Sequence, residues 1–337
     1  MSQLEVITKV QAGNDLSLEE MASAIGQMME GAWGDDDIAA LLLALNDKGP
    51  CVDEIAGAAT AMRNHMVQIK APVADFIDTC GTGGDRSGTF NISTATALVI
   101  AAAGVPVAKH GNRSVTSKSG SADVLSRLGV NIEADVATIE RCLEEVGICF
   151  CFAPLMHGSM KHVAGVRKSL GVPTIFNLLG PLCNPANAPY QLLGVGRPEY
   201  RELLASALHK LGTTKAVFVT GRDGMDEVTI SDATDVTIAT PAGLVQIVWQ
   251  PEEFGIERRG KEDMLVDGPE ESAAMIRRVL AGEKGGARDI VVVNAAAALW
   301  TIGKNDSLSE CARLAEIAID SGAAEKTLAR LAEVSAG

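Results

Sequence analysis

Residues 74–80 read ADFIDTC, residues 81–90 GTGGDRSGTF and residues 91–103 NISTATALVIAAA. These three consecutive pieces decide the fold. The first is a short run of strand type. The second is a loop with four glycines between Gly81 and Gly88. The third opens on small amide and hydroxyl residues and continues as an alanine-rich helix. The pattern then repeats. VPVAKHG (105–111) reads as strand and loop, and SADVLSRLG (121–129) as a helix closed by Gly129. Strand, loop, helix, strand, loop, helix is the order of an α/β layer. KAVFVTG (215–221) and GLVQIVW (243–249) extend the strand count. PEYRELLASALHKLG (198–212), PEESAAMIRRVLAG (269–282) and DIVVVNAAAALWTIG (289–303) supply helices, and AGEKGGARD (281–289) reads as a surface loop.

Upstream of Ala71-Pro72 the character differs. Ser17 with Glu20 forms a capping box before LEEMASAIGQMMEG (18–31), where Leu18, Met21, Ile25 and Met28 recur at helical spacing. DDDIAALLLALNDKG (35–49) is acidic at its start and basic near its end, as a helix dipole favours. VDEIAGAATAMRNHMVQI (52–69) makes a third helix. The expectation is an α/β protein with a small helical domain over residues 1–72 and a larger α/β domain over residues 73–337. A ligand cleft is expected between them.

The chain has 337 residues, room for two domains, and a net charge of −14. That charge argues against nucleic acid and anionic membrane surfaces as partners. The apolar runs near Ala97–Ala108 and Ile290–Ile302 are too short for a membrane span, and Asn294 interrupts the second. MSQLEVITKV at the start has no signal-peptide pattern. The seven cysteines include one C-x-C pair, Cys149 and Cys151, and no C-x-x-C. That arrangement suits a reduced, cytoplasmic chain better than a disulfide framework or structural zinc.

The glycine loop fails two familiar phosphate patterns. Arg86 stands where the dinucleotide fingerprint needs its third glycine, and Thr89 where a P-loop needs lysine. Taken alone, it reads equally as a tight strand-to-helix turn. The surrounding charge favours an anion site. From Arg86 to Ala122 there is no Asp or Glu, where the average acid density of the chain predicts about five. The same window carries Arg86, Lys109, Arg113 and Lys118. The following helix adds its positive end, with Asn91, Ser93 and Thr94 as donors.

Three further stretches join it. KHGNRSVTSKSGSADVL (109–125) is dense in glycine, hydroxyls and cations, and Lys109, Asn112 and Arg113 suit phosphate oxygens. GRDGMDEVTISD (221–232) holds the adjacent carboxylates Asp226 and Glu227 after a glycine turn, a magnesium pair if phosphate is near, with Ser93 as a hydroxyl ligand. FAPLMHGSMKHVAGVRKSLGVPTIFNLLGPLCNP (152–185) carries His157, His162 and Arg167; the arginine suits a carboxylate, and the histidines read as structural or pocket-lining.

GTGGD, NIST, KHGNRSVTSKSGSADVL, VRKSLGVPTIFNLLGPLCNP and GMDEVT, in this order, resemble the anthranilate phosphoribosyltransferase family of tryptophan biosynthesis. The resemblance extends over nearly the whole chain. It implies a nucleoside phosphorylase-like phosphoribosyltransferase fold, with a helical domain that takes back a segment near residues 166–182. It also implies a homodimer joined through that domain, and transfer of phosphoribose from phosphoribosyl pyrophosphate to anthranilate with two magnesium ions. Carried across, Gly81, Gly84, Asp85, Thr89, Asn91, Ile92, Ser93 and Thr94 line the phosphoribosyl pyrophosphate. Lys109, His110, Gly111, Asn112, Arg113, Ser114, Val115, Thr116 and Ser117 wrap it, and Ser121 assists. Gly81, Asn112 and Arg167 contact anthranilate, with His110 and His157 lining its path. Ser93, Asp226 and Glu227 hold metal. No residue is expected to act as a general base. Arg86-Ser87 departs from the smaller residues frequent there in the family. The rival readings are a nucleoside phosphorylase and a catalytically silent, nucleic-acid-binding relative.

Overall fold

The computed structural model describes residues 1–113 and 119–337. It opens with four helices: α1 (Gln3–Gln11), α2 (Leu18–Met29), α3 (Asp35–Lys48) and α4 (Val52–Asn64). The capping box at α2 is formed. Ser17 Oγ accepts from Glu20 N at 3.2 Å, and Glu20 Oε2 accepts from Ser17 N at 2.8 Å, an arrangement that contributes about 1 kcal/mol. Helix α4 stops at Asn64, short of the expected Ile69, because tertiary pairing takes the backbone away. Val67 N donates to Met156 O at 2.8 Å and Ile69 N to Pro185 O at 3.1 Å, which carries the chain to the sheet.

The sheet has seven strands: β1 (Ile77–Gly81), β2 (Val107–Gly111), β3 (Ile148–Phe152), β4 (Tyr190–Gly194), β5 (Lys215–Gly221), β6 (Thr234–Thr240) and β7 (Gly243–Trp249). Their order is β3-β2-β1-β4-β5-β6-β7, the first five parallel and the last two antiparallel. Strands β3, β4 and β6 were not among the sequence expectations. Strand β3, ICFCF, is buried at all five positions, so it shows none of the alternation that marks a half-exposed strand.

One face of the sheet packs against α5 (Ile92–Ala102), the helix Gly286–Thr301 and the C-terminal helices Leu308–Asp320 and Ala323–Ser335. The other face carries α2, α3, α4 and the helix Arg201–Lys210. Val163, Val166, Phe176 and Leu179 join that second core from the far side of the cleft. The low aromatic content is met by alanine: Ala295 to Ala298 are all fully buried along the central helix. That helix begins at Gly286, so AGEKGGARD is not simply a surface loop. Its Arg288 is 3% exposed and pairs with Asp320 at 2.9 Å and Glu316 at 3.4 Å. No helix among the described residues is long and apolar enough to cross a membrane.

Candidate active site

The C-terminal ends of β1 and β2 point into a cleft of about 550 Å³, where loops of a parallel sheet ordinarily bind ligands. Its walls combine the glycine loop after β1, the loop after β2, Arg167 on the helix Lys161–Leu170, and Asp226 with Glu227 after β5. The four stretches singled out in the sequence therefore meet in one place.

The glycine loop is held at both ends. Thr82 N donates to Gly194 O at 2.9 Å, Gly196 N to Thr82 Oγ1 at 3.1 Å, and Gly83 N to Asp226 Oδ2 at 3.1 Å. At the far end Val266 N donates to Gly88 O at 3.0 Å and Phe90 N to Met264 O at 2.9 Å. Two close approaches need glycine. A Cβ on Gly194 would collide with the Asp226 carbonyl, and one on Gly196 would lie 2.6 Å from Gly83 O. Helix α5 starts immediately after the loop, with Asn91 as its N-cap: Asn91 Oδ1 accepts from Thr94 N at 3.1 Å.

Strand β2 contributes Lys109, which is 2% exposed. Its Nζ donates to Thr79 O at 2.5 Å and to Ser93 Oγ at 3.2 Å. Burial pulls its pKa down, and the nearby Asp78 carboxyl resists that. Asp78 itself ties the strand ends together. It accepts from His110 N at 3.1 Å and from Asn184 Nδ2 at 2.8 Å.

Asp226 and Glu227 stand half-buried on the floor. Burial pushes the Asp226 carboxyl up to about 8; the charge and hydrogen bond of Asp85 add to this, and the Gly83 N–H opposes it. Glu227 is driven well above the usual carboxylate range by burial and then by Asp226. Asp85, Asp226 and Glu227 thus crowd one region while Lys109 is bonded elsewhere. With Ser93, which lines the same cleft, they offer oxygen atoms of the kind a hard divalent ion such as magnesium takes. Asn294 fixes the loop that carries them. It is fully buried; its Oδ1 accepts from Val228 N at 2.9 Å, and its Nδ2 donates to Val228 O at 2.9 Å and Ile290 O at 2.8 Å. In the sequence it interrupts an apolar run.

His110 lines the cleft and His157 stands behind it, with their Nε2 atoms 3.3 Å apart. His110 Nδ1 lies 3.2 Å from Gly180 O, a contact that makes Nδ1 the protonated nitrogen. Burial pulls His110 to about 3, with His157 adding to the effect, and burial pulls His157 to about 4. Both rings are neutral at pH 7 and are poor proton donors. Arg167 stacks over Phe176, its guanidinium carbon 5.3 Å from the ring centre, and burial lowers its pKa.

Gly81, Gly84, Asp85, Thr89, Asn91, Ile92, Ser93, Lys109, His110, Gly111, Asn112, Arg113, Ser121, Arg167, Asp226 and Glu227 all line the cleft. Thr94 does not. It is 1% exposed, and its amide, expected to face an anion, is capped by Asn91. His157 is also displaced from the wall, behind His110. Ser114, Val115, Thr116 and Ser117 lie outside the described residues. Asn177 and Gly83 line the cleft without having been singled out. Asn177 lies within the proline-punctuated stretch, but Gly83 gave no signal beyond being one glycine among four.

The comparisons agree with this geometry. Residues 4–66 match the helical bundle domain of a glycosyl transferase family, and residues 73–325 match that family's a/b domain. The anthranilate phosphoribosyltransferase of Rhodopirellula baltica is 46% identical over 99% of this chain and 97% of its own length. The enzyme of the same name from Acetivibrio thermocellus is 49% identical over 98% and 95%. The crystal structure of the Thermus thermophilus anthranilate phosphoribosyltransferase superposes with a TM-score of 0.92 at 40% identity, covering 98% of this chain and 99% of that one. The Saccharomyces cerevisiae enzyme in complex with PRPP and Mg gives 0.90 at 27% identity, covering 99% and 98%. With its motifs gathered in one cleft, its fold matched end to end and relatives of one name along its full length, this chain belongs to the anthranilate phosphoribosyltransferase family.

Proposed function

We propose that the protein transfers the phosphoribosyl group of phosphoribosyl pyrophosphate to the amine of anthranilate, the second step from chorismate to tryptophan. The observation that carries this reading is the meeting of the glycine loop, the basic β2 loop, Arg167 and the Asp226–Glu227 pair in one cleft. In the reaction the bond from ribose C1 to the diphosphate oxygen breaks, the amine nitrogen bonds to C1, and the amine gives up one proton.

Asp226, Glu227 and Ser93 would hold magnesium, two ions in this reading, with Asp85 close by. Magnesium bound there supplies positive charge against the departing diphosphate. Backbone N–H groups of the glycine loop and the start of α5 add fixed dipoles to the same region. Arg167 and Asn112 are assigned to the anthranilate carboxylate, holding the amine toward C1. The aryl amine is already neutral, so its lone pair needs no strong base. Neutral His110 accordingly serves as a wall of the anthranilate path, with His157 backing it. Positioning and electrostatics supply most of the rate.

The division into residues 1–72 and 73–337, with residues 166–182 returning to the helical domain, is supported by Val166 and Phe176 packing in the helical core. A homodimer through the helical domain is supported by Leu4 and Leu43, which are exposed there. A cytoplasmic location is supported by the seven free thiols.

Loss of anthranilate fluorescence with phosphoribosyl pyrophosphate and magnesium, repeated without each component, tests the reaction. Signal loss that persists without phosphoribosyl pyrophosphate, or none with all three present, rejects it.

A further inference from the structure

Arg86 and Asn187 are the only non-glycine residues with positive φ among the described residues. Asparagine tolerates that conformation; arginine seldom adopts it, and here Asp85 Oδ1 accepts from Ser87 N at 3.2 Å across the residue. At Arg86 φ is +56°. The loop imposes this, because its two ends are pinned by Gly83, Thr82, Gly88 and Phe90 to different parts of the fold. Strained backbone kept in place by its surroundings concentrates where a side chain must be presented in one direction.

The charges of the cleft say what that side chain is for. Arg113 pairs with Asp123 at 3.2 Å and Glu133 at 3.8 Å. Lys109 is taken by Thr79 and Ser93, and Arg167 by the ring of Phe176. Among the described residues that line the cleft, Arg86 is the cation with no hydrogen bond, ion pair or ring contact. It stands three residues beyond Gly83, whose amide touches Asp226, so it shares the loop that borders the carboxylates. Those carboxylates offer an anionic ligand no attraction, and a guanidinium fork suits a diphosphate in geometry as well as charge.

We propose that Arg86 is a specificity-determining residue of this chain for the diphosphate of the substrate, gripping it directly from the cleft rim and independently of magnesium. This rests on the phosphoribosyl transfer proposed above. The grip reduces the share of diphosphate binding that depends on the metal, and it opposes release of the product pyrophosphate.

The test uses the full chain, wild type, R86G and R86K, titrated calorimetrically without magnesium with inorganic pyrophosphate and with ribose 5-phosphate. Wild type is expected to bind pyrophosphate about tenfold more tightly than R86G, the scale of one charge-assisted hydrogen bond. R86K falls between them, and ribose 5-phosphate is unchanged. In turnover, R86G raises the KM for phosphoribosyl pyrophosphate and leaves that for anthranilate unchanged. R86G is expected to melt no lower than wild type, since glycine takes φ +56° without strain. Equal pyrophosphate affinity in wild type and both variants overturns the assignment, and so does a loss confined to ribose 5-phosphate. Wild-type turnover with an unaffected R86G removes only Arg86. An inactive wild type that still binds pyrophosphate through Arg86 removes the reaction and keeps the anion contact.

Discussion

Glu54 in the helical layer and Glu227 in the cleft are both glutamates withdrawn from solvent, and they differ in company. Glu54 accepts from Lys48 Nζ at 2.9 Å, Leu16 N at 3.1 Å and Cys51 N at 2.8 Å. It joins the α1–α2 and α3–α4 connections of the helical layer. Glu227 has the Ser93 amide and the Lys109 charge on its side, but burial and the neighbouring acids Asp226 and Asp85 outweigh them and hold its proton well above the ordinary range. A buried carboxylate with a full set of donors holds a fold together. One whose donors are outweighed by burial and neighbouring acids is kept ready for something that arrives from outside.

The comparison breaks first at the cleft. Replacing Asp226 and Glu227 together by Ala should reduce turnover by about 10³-fold or more, the scale of losing preorganised electrostatic stabilisation, while the melting temperature holds or rises. Near-normal turnover at ordinary magnesium would remove the pair from the metal site. Next comes Lys48→Ala. It strands Glu54 and should cost about 3 kcal/mol in denaturant unfolding, with both KM values unchanged. A stability within 1 kcal/mol of wild type, by the same measurement, would mean that Glu54 does not need its partner.

The smallest effect is a pH dependence. The folded pKa of Asp226, about 8, lies above its unfolded value, so the folded state binds the extra proton. The contribution is fully present below about pH 4, fades as pH rises, and is gone above about 8. Metal-free protein should therefore lose melting temperature across that window relative to D226N, and saturating magnesium should flatten the difference. Parallel curves for the two proteins without metal would contradict the raised carboxyl.

What was legible in the sequence was local. The Ser17–Glu20 box needs only four residues to be seen, and the structure forms it. The strand-loop-helix units after β1 and β2 were readable because a strand pattern, a glycine cluster and a helix start follow each other directly. Strand β3 was hidden because every position is buried. The contact from Gly83 to Asp226 spans 143 positions, so nothing in the loop announced it. Thr94 misled because a helix N-terminus offers free amides only where no side chain caps them, and Asn91 does cap it. Asn294 was visible as an interruption, yet its purpose lies across the fold at Val228.

The bare end of β4 has a consequence for tuning. Asp226 rests its carbonyl over Gly194, and Gly83 rests over Gly196, with no side chain between. The height of the metal ligands above the sheet is thus set by main chain against main chain, a spacer with no adjustable part. Substitutions cannot shim the floor of this site up or down. Variation in rate or selectivity among descendants of this chain has to be written on the rim, where Arg86, Asn112 and Asn177 face open space.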